Sequence, residues 1–312
     1  YVGTVGDVGG LAEVAHAHDV PLVVDAAWAA HFGFHPDLPA HALALGADAM
    51  VTSAHKSLPA YSQAALLLAR TERLDPARLD AGVEATATTS PAGAILASID
   101  AARALLDRDG EALLGEAIAA TRTARDVLTA VDGLVVLDGP RVDRLKLTLV
   151  LSGTGADGNA VERDLLAAGL PVESADRDVL VAVVTVADTE RSVGTLTSAV
   201  ARSIERHRGA PRALAEPAAY SVDPVTVVAP RAAFFASAEA VATEAAAGRV
   251  SAELIAPYPP GIPVVAPGEQ ITADVLGALE RARAAGLRIA YAADPTLATL
   301  RVLDPGVGGS PT

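Results

Sequence analysis

The sequence predicts an α/β fold that continues into two smaller units, and three observations support this. Short apolar runs at residues 21–25 and 49–52 alternate with helical patterns, which is typical of a parallel sheet covered by helices. From residue 133 onward, strand patterns are mixed with single helices, as in an α+β domain. Hydrophobic residues make up 51% of the 312 residues and charged residues 20%, so the chain can bury a substantial core.

The first predicted unit covers residues 1–130. Its predicted elements are helices over 8–19 and near 39–45, strands over 21–25, 49–52 and 64–69, and long helices over 91–107 and 110–130. Ser90 and Pro91 predict the start of the first long helix, because serine is a preferred N-cap and proline fits the first helical position. The two long helices are long enough to bridge two lobes.

Two further units follow. The second is an α+β domain over residues 131–210, and the third is a compact α/β domain over residues 213–312. The elements predicted for the second are strands over 134–137, 145–151 and 179–186 and helices over 158–168 and 189–208. Those of the third are strands over 225–228 and 287–291, helices over 237–247 and 272–285, and a Pro-rich loop over 257–267. Residues 208–212 are predicted to be a linker.

Composition excludes several function classes. The formal net charge is −14, and so acidic a surface repels phosphate backbones and anionic membranes, so we expect neither a nucleic-acid partner nor a membrane partner. The absence of cysteine excludes disulfides, thiolate zinc sites and a cysteine nucleophile. Each apolar stretch ends well short of the roughly 18 residues that suggest a membrane span, and we expect a cytoplasmic protein.

Lys56 is the residue that indicates chemistry most directly. It follows a predicted buried strand, and Arg70 is the only other Lys or Arg within residues 1–70. Burial lowers the pKa of a lysine amine and makes the amine a nucleophile toward carbonyls. The alternative is an ordinary lysine at an exposed strand end.

Asp25 ends the neighbouring predicted strand, at the edge of the sheet where α/β folds bind ligands. A carboxylate there can keep a pyridine nitrogen protonated, while Lys56 forms an imine with the aldehyde of the same ring. That pair is the minimal equipment for pyridoxal 5'-phosphate, whose ring accepts the electrons released when a bond to Cα breaks. Ser53 and His55 can hydrogen-bond the phosphate. A helix cap or turn residue is the commoner reading of Asp25 taken alone.

The sequence resembles the bacterial Orn/Lys/Arg decarboxylases, which are fold type I enzymes dependent on pyridoxal phosphate. The segments that are similar to the family are Asp-x-Ala-Trp at 25–28, Ser-x-His-Lys at 53–56, Gln63, residues 88–91 and 143–147, and the late stretches 248–253, 257–263 and 267–269. The resemblance implies the remainder of an aminotransferase-like parallel-sheet domain, a small α+β domain and a C-terminal α/β domain. Family members carry the turn that cradles the phosphate, and the aromatic residue that stacks on the ring, upstream of the position of Tyr1. The resemblance therefore implies that the 312 residues are the later portion of a decarboxylase, without its N-terminal portion.

The resemblance also implies roles for individual residues. Lys56 would bond the cofactor and relay a proton, Asp25 would pair with the ring nitrogen, and Ala27 would lie against the ring face. The other residues implied are Ser53 and His55 at the phosphate, Thr89 or Ser90 reaching a cofactor in the partner subunit, His31 near the cofactor, and Glu253 as an acid for the cationic substrate side chain. For Glu253, a solvated carboxylate at a helix end is an equal alternative.

The function implied is decarboxylation of arginine, lysine or ornithine in polyamine metabolism, by a homodimer or a higher homo-oligomer. Two alternatives stay open. Asp25 and Lys56 also suit an aminotransferase or an aldolase, although the late Pro-rich motif favours decarboxylation. A non-catalytic remnant or assembly partner is the other. We expect no metal site, because Gly33 and Pro36 disfavour the helix that the spacing of His31 and His35 would need.

Overall fold

A computed structural model describes residues 1–214, 221–258 and 261–306, and the chain divides into two compact units. Unit 1 comprises Tyr1–Val131, Val136–Leu149 and Val181–Ala201. Unit 2 comprises Asp132–Val135, Val150–Leu180 and Arg202–Thr312. The predicted domains 1–130, 131–210 and 213–312 stay a prediction, and parts of the last, including two residues of the predicted Pro-rich loop, lie outside the described residues.

Unit 1 contains a three-stranded sheet with the order β1 (Val23–Asp25), β2 (Ala49–Thr52) and β3 (Leu66–Ala69). Strands β1 and β2 are parallel, with Val23 opposite Ala49 and Asp25 opposite Val51, as the sequence predicts. Strand β3 is antiparallel to β2. The connection to β3 contains only the single helical turn α2 (Ala54–Ser57), which is too short to cross the sheet and return in the parallel direction.

Unit 1 also contains several helical elements. They are α1 (Val8–Ala17), a 3₁₀ turn at Ala42–Leu45, α3 (Pro76–Thr86) and α4 (Gly93–Thr129). Asp7 begins α1 by accepting a hydrogen bond from the backbone N–H of Gly10 at 3.0 Å, which satisfies one of the free donors of the first turn. Ala42, Ala47 and Met50 form a small buried cluster next to β2.

Helix α4 is one continuous helix of 37 residues, so the prediction of two helices over 91–107 and 110–130 was wrong. Gly110 does not break it. A Cβ at Gly110 would lie 3.3 Å from the Cβ of Leu106 and 3.8 Å from that of Phe34, so the glycine permits close packing. The predicted start at Ser90 was also wrong: α4 begins at Gly93, and the backbone N–H of Ser90 donates to Thr88 Oγ1 in a local turn.

A four-stranded sheet has the order β4 (Val135–Val136), β5 (Lys146–Val150), β7 (Val179–Val183) and β6 (Ser174–Ala175). The helices of this part of the sequence are α5 (Gly158–Ala167) and α6 (Glu190–Arg206). Apart from β6, which the sequence did not predict, these elements agree with the predicted ones to within a few residues. The first four residues of β5 are all buried, so this strand is covered on both faces.

The C-terminal part of unit 2 has its own apolar core. Its elements are α7 (Pro230–Phe235), β8 (Ala238–Ala242), β9 (Ala256–Tyr258), α8 (Ala273–Ala284), β10 (Arg288–Ala290) and β11 (Thr299–Leu303). Strand β8 pairs with β11 and β9 pairs with β10, both antiparallel. The core includes Ile255, Val264, Val275 and Leu300, each at most 1% exposed.

Two predictions for this part were wrong. The helix over 237–247 is strand β8 followed by a 3₁₀ turn, because pairing with β11 overrides the helix propensity of its alanines. Residues 225–228 make an isolated bridge, Thr226 with Glu269. In the predicted linker over 208–212, Arg212 donates to Asp178 Oδ1 at 2.6 Å, and the linker itself stays a prediction. Within the described ranges, no helix combines the length and the apolar character needed to cross a membrane.

Candidate active site

The ends of β1 and β2 bring predicted site residues together. The two strands are adjacent and parallel, so their carboxyl ends lie at the same edge of the sheet. Backbone pairing continues beyond the strands: Ser53 N–H donates to Ala27 O at 3.3 Å. Asp25 is exposed at the end of β1, and its Oδ1 accepts a hydrogen bond from Ala27 N–H at 3.0 Å. Asp25, Ala27 and Ser53 therefore occupy one small region of unit 1.

Helix α2 presents Lys56 and His55 from the same edge. Lys56 is half-buried, and its Nζ lies 5.0 Å from the ring centroid of Trp28, within the range of a cation–π interaction. The Nδ1 of His55 lies 2.8 Å from the carbonyl oxygen of Ala64. Because a carbonyl only accepts hydrogen bonds, Nδ1 must bear the proton of that bond, and Nε2 can donate to an anion only when the ring is doubly protonated.

A second lysine shares the same indole. Lys146 Nζ lies 3.5 Å from the Trp28 centroid and donates to Tyr1 O at 3.1 Å. Lys56 and Lys146 are the only lysines of the sequence, and Trp28 is its only tryptophan. Lys146 is only 2% exposed, although lysine is rarely buried. The sequence places Lys146 in a family-like segment, residues 143–147, but does not predict its position beside Trp28. The available signal was a lysine at the start of an apolar strand.

His31 and Asp143 form a buried pair next to the cluster of Trp28, Lys56 and Lys146. His31 Nε2 lies 3.1 Å from Asp143 Oδ1, and the same oxygen accepts a hydrogen bond from Leu145 N–H at 3.0 Å. Burial alone would raise the pKa of Asp143, but the His31 hydrogen bond, the Leu145 hydrogen bond and nearby positive charge outweigh it. The pKa of Asp143 is therefore lowered, and the carboxylate is ionised at neutral pH.

Asp25 and Lys56, predicted to act as a pair, follow from neighbouring elements of the sheet. Asp25 ends β1, and Lys56 lies in α2 directly after the adjacent parallel strand β2.

Three buried side-chain atoms lack a hydrogen-bond partner within the described residues: Ser57 Oγ, His31 Nδ1 and Arg125 Nε. Ser57 adjoins Lys56, and His31 and Arg125 contact Asp143 and its neighbours. A buried polar atom without a hydrogen-bond partner costs about 1–3 kcal/mol. A polar ligand bound at this place would supply the missing partners and remove that cost. An amine, a carboxylate and hydrogen-bonding groups at one strand edge fit pyridoxal 5'-phosphate.

The remaining predicted residues lie elsewhere. Thr89 and Ser90 are exposed in the segment between α3 and α4. Glu253 belongs to unit 2 and is buried, and its two carboxylate oxygens accept backbone hydrogen bonds from Arg301 and Ala293, each at 2.6 Å. Through these two hydrogen bonds, Glu253 connects β11, which contains Arg301, to the turn before it, which contains Ala293. The catalytic, cofactor and substrate roles assigned from the sequence stay predictions.

The histidine pair considered for metal binding is not on a helix. Residues 31–35 form turns, and the Nδ1 of His35 accepts a hydrogen bond from Asp37 N–H at 3.0 Å. Over the described ranges, no three His, Cys, Asp or Glu side chains are grouped to hold a metal ion.

Solved structures with a similar fold include lysine decarboxylases. The constitutive lysine decarboxylase of Escherichia coli aligns with a TM-score of 0.76 at 21% identity, over 97% of this chain and 57% of that chain. A lysine decarboxylase of Francisella novicida aligns with a TM-score of 0.75 at 20% identity, over 97% of this chain and 56% of that one. The architecture is therefore that of the fold type I α/β enzymes, as the sequence predicts.

The sequence itself gives the family. Residues 1–153 match the major domain of Orn/Lys/Arg decarboxylases and residues 214–286 match their C-terminal domain. The chain is 33% identical to an arginine decarboxylase of Halalkalibacterium halodurans and 30% identical to one of Bacillus subtilis, over 97% of its length in both cases. The chain belongs to the Orn/Lys/Arg decarboxylase family. It spans 64% of the length of these two relatives.

Proposed function

We propose that this protein is a pyridoxal-phosphate-dependent decarboxylase of arginine, lysine or ornithine and acts in polyamine metabolism in the cytoplasm. One observation carries the proposal: Asp25 ends β1, Lys56 follows the adjacent parallel strand β2, and Lys56 Nζ lies 5.0 Å from the ring centroid of Trp28. The names of the relatives, arginine decarboxylases in two bacteria, support the choice of a basic amino acid as substrate.

The residues at the strand ends would hold the cofactor. Lys56 Nζ would bond its aldehyde carbon, Asp25 would hold the proton on its ring nitrogen, and Ala27 would lie against the ring face. Ser53 and His55 would bind the phosphate, His55 as an imidazolium, because its Nδ1–H is already donated to Ala64. When bound, the cofactor supplies an electron sink for the pair released as the bond from Cα to the carboxylate breaks.

Lys56 would also handle the proton that completes the reaction. Decarboxylation releases carbon dioxide, and a proton must then be added to Cα in place of the lost carboxylate. The ammonium form of Lys56 can hold that proton on Nζ and deliver it over a short distance. Trp28 lies 5.0 Å from this nitrogen and half-buries it, so the indole limits the access of water to the reacting atoms.

Substrate binding would depend on acidic groups. The net charge of −14 attracts a cationic amino acid to the protein at low ionic strength. The family resemblance implies Glu253 as the acid for the substrate's cationic end, although both of its carboxylate oxygens accept backbone hydrogen bonds within unit 2. Thr89 and Ser90, which are exposed, would reach the cofactor of a second subunit in a homodimer.

The test uses the full-length protein mixed with pyridoxal 5'-phosphate. We expect an absorbance band of the cofactor bonded to lysine, which the Lys56→Ala variant lacks, and carbon dioxide release from arginine, lysine or ornithine. Lys146→Ala is the matched lysine control, and it should keep the band. A wild-type protein without the band would overturn the proposal, and transfer of the amino group to a keto acid without carbon dioxide release would indicate an aminotransferase.

A further inference from the structure

The turn formed by residues 143–146 contacts the loop after Asp25 at two points. Lys146 Nζ lies 3.5 Å from the centroid of Trp28, and Asp143 Oδ1 lies 3.1 Å from His31 Nε2. Residues 26–33, which include Ala27, Trp28 and His31, form that loop. The turn therefore contacts the loop through one cation–π interaction and one hydrogen bond between buried side chains.

The 143–146 turn is itself held in place by Arg125 of α4. Its Nη1 donates to Arg144 O at 3.1 Å, and its Nη2 donates to Asp143 O at 3.0 Å and to Lys146 O. A planar guanidinium can serve several carbonyls at once, which the single ammonium of lysine cannot do with the same geometry. The turn also closes on itself, because Lys146 N–H donates to Asp143 O at 3.2 Å. The backbone that carries the side chains of Asp143 and Lys146 is therefore held in one conformation.

The stem of Lys146 is confined as well. Gly3 has a φ of +90°, and a Cβ at this position would lie 2.7 Å from the Cβ of Lys146. Burying an ammonium is unfavourable unless it is paired, and Lys146 is paired with Tyr1 O and the Trp28 ring while Asp143 attracts its charge. For packing alone an apolar side chain of similar volume serves as well or better, so the buried charge indicates a further role.

We infer that Lys146 and Asp143 are positioning residues of the decarboxylase site, acting through Trp28 and His31 on the loop that begins at Asp25. The inference rests on the proposed function. Lys146 fixes the indole that covers Lys56, and Asp143 fixes the imidazole of His31 in the tautomer with hydrogen on Nε2. Neither residue needs to contact substrate. Because the loop also includes Ala27, a small displacement of it would move the surface on which the cofactor ring rests.

The experiment compares full-length variants loaded with pyridoxal 5'-phosphate. Lys146→Met removes the ammonium charge at Trp28 and keeps a long side chain. Asp143→Asn removes the carboxylate charge at His31. A misplacement near 1 Å can lower a rate by up to about 100-fold, so we expect each variant to lose about 10- to 100-fold in kcat, with a smaller change in KM. The lysine-dependent absorbance band should persist but shift in position.

Two control variants separate positioning from stability. Arg144→Gln changes a side chain on the same turn that pairs with exposed Asp138 at 3.1 Å, and its kcat should stay within about twofold of wild type. Lys146→Arg keeps the charge and should recover part of the kcat lost in Lys146→Met. If Lys146→Met does not fold, Asp143→Asn, which has nearly the same shape as the wild type, gives the same test.

The outcomes also distinguish this inference from the proposed function. Variants that melt at lower temperature but keep the wild-type kcat and band position would overturn the positioning role and leave the decarboxylase assignment intact. A wild-type protein without a Lys56-dependent band, or without carbon dioxide release, would overturn the proposed function and this inference with it.

Discussion

The imidazole of His31 and the carboxylate of Asp143, 112 residues apart in sequence, form a hydrogen bond of 3.1 Å between side chains that are 2% and 4% exposed. An ionised carboxylate only accepts hydrogen bonds, so His31 Nε2 donates and Nδ1 is the acceptor when the ring is neutral. The pair therefore leaves Nδ1 as the nitrogen of His31 that can accept a hydrogen bond. It also makes the stability of unit 1 depend on the ionisation of Asp143.

Asp143→Asn should destabilise the protein most at neutral pH. The pKa of Asp143 is lowered in the folded state, so its contribution is fully present above the unfolded value of about 3.9 and is lost as pH falls through the folded value. We expect a loss of about 1–3 kcal/mol in the free energy of unfolding at pH 7, from urea denaturation. The difference from wild type should shrink below about pH 4. Asp138→Asn, at an exposed carboxylate, is the control, and a difference independent of pH would contradict the prediction.

Arg125→Lys should destabilise the 143–146 turn. Lysine cannot donate to three carbonyls in the geometry of the guanidinium, and each buried carbonyl left unpaired costs about 1–3 kcal/mol. We expect a loss of about 2–4 kcal/mol in chemical denaturation. Arg122→Lys, on an exposed position of the same helix, should change the free energy of unfolding by less than about 0.5 kcal/mol. Equal effects of the two substitutions would show that the three hydrogen bonds contribute nothing specific.

Gly268→Ala should be strongly destabilising in unit 2. Gly268 has a φ of +91°, and a Cβ there would lie 2.0 Å from Val228 O, so both the backbone conformation and the space exclude a side chain. We expect a loss above about 2 kcal/mol by thermal or chemical denaturation. Gly194→Ala is the matched control, because Gly194 is exposed in α6 with open space around it. That substitution should be neutral or should stabilise by up to about 1 kcal/mol, and the prediction fails if the two variants behave alike.

Asp294→Asn should lower the melting temperature at pH 7. It should also reduce the fall of the melting temperature between pH 7 and pH 3. The carboxylate accepts hydrogen bonds from the N–H and O–H groups of Thr296 and Thr299, and these hold its pKa at about 2. The stabilisation is present above the unfolded pKa of about 3.9 and is lost between about pH 4 and pH 2. Thermal melts at pH 7 and at pH 3 test this, and a variant that melts like wild type at pH 7 would refute it.

The strands that carry the candidate site were predictable for a physical reason. Strands of a parallel sheet read as continuous apolar runs, and residues 21–25 and 49–52 have that pattern with polar groups at their ends. Asp25 and Lys56 follow from it, because parallel strands end at one edge. Burial is less complete than this pattern indicates, because Val23 of β1 is 59% exposed. The alanine-rich stretch 237–247 has no such pattern, and its strand exists only because β11 lies beside it.

The cluster around Trp28 was only half predictable. The sequence indicates Lys56 because it lies next to a strand end, but Lys146 and Asp143 reach Trp28 and His31 only through the folding of more than a hundred residues. Gly110 is a similar case. Its conformational freedom suggests a helix break, whereas the contacts with Leu106 and Phe34 use its small size inside an unbroken helix. Contacts of this kind depend on tertiary packing that periodicity does not encode.

The place of Trp28 makes the candidate site visible to fluorescence. Trp28 is the only tryptophan among the 312 residues, and the two ammonium groups nearest its ring belong to the residues whose roles are proposed here. Its emission responds to charge and polarity at the indole, so cofactor loading and movement of Lys56 should both alter it. In this sequence, an unlabelled emission spectrum therefore reports on a single known position.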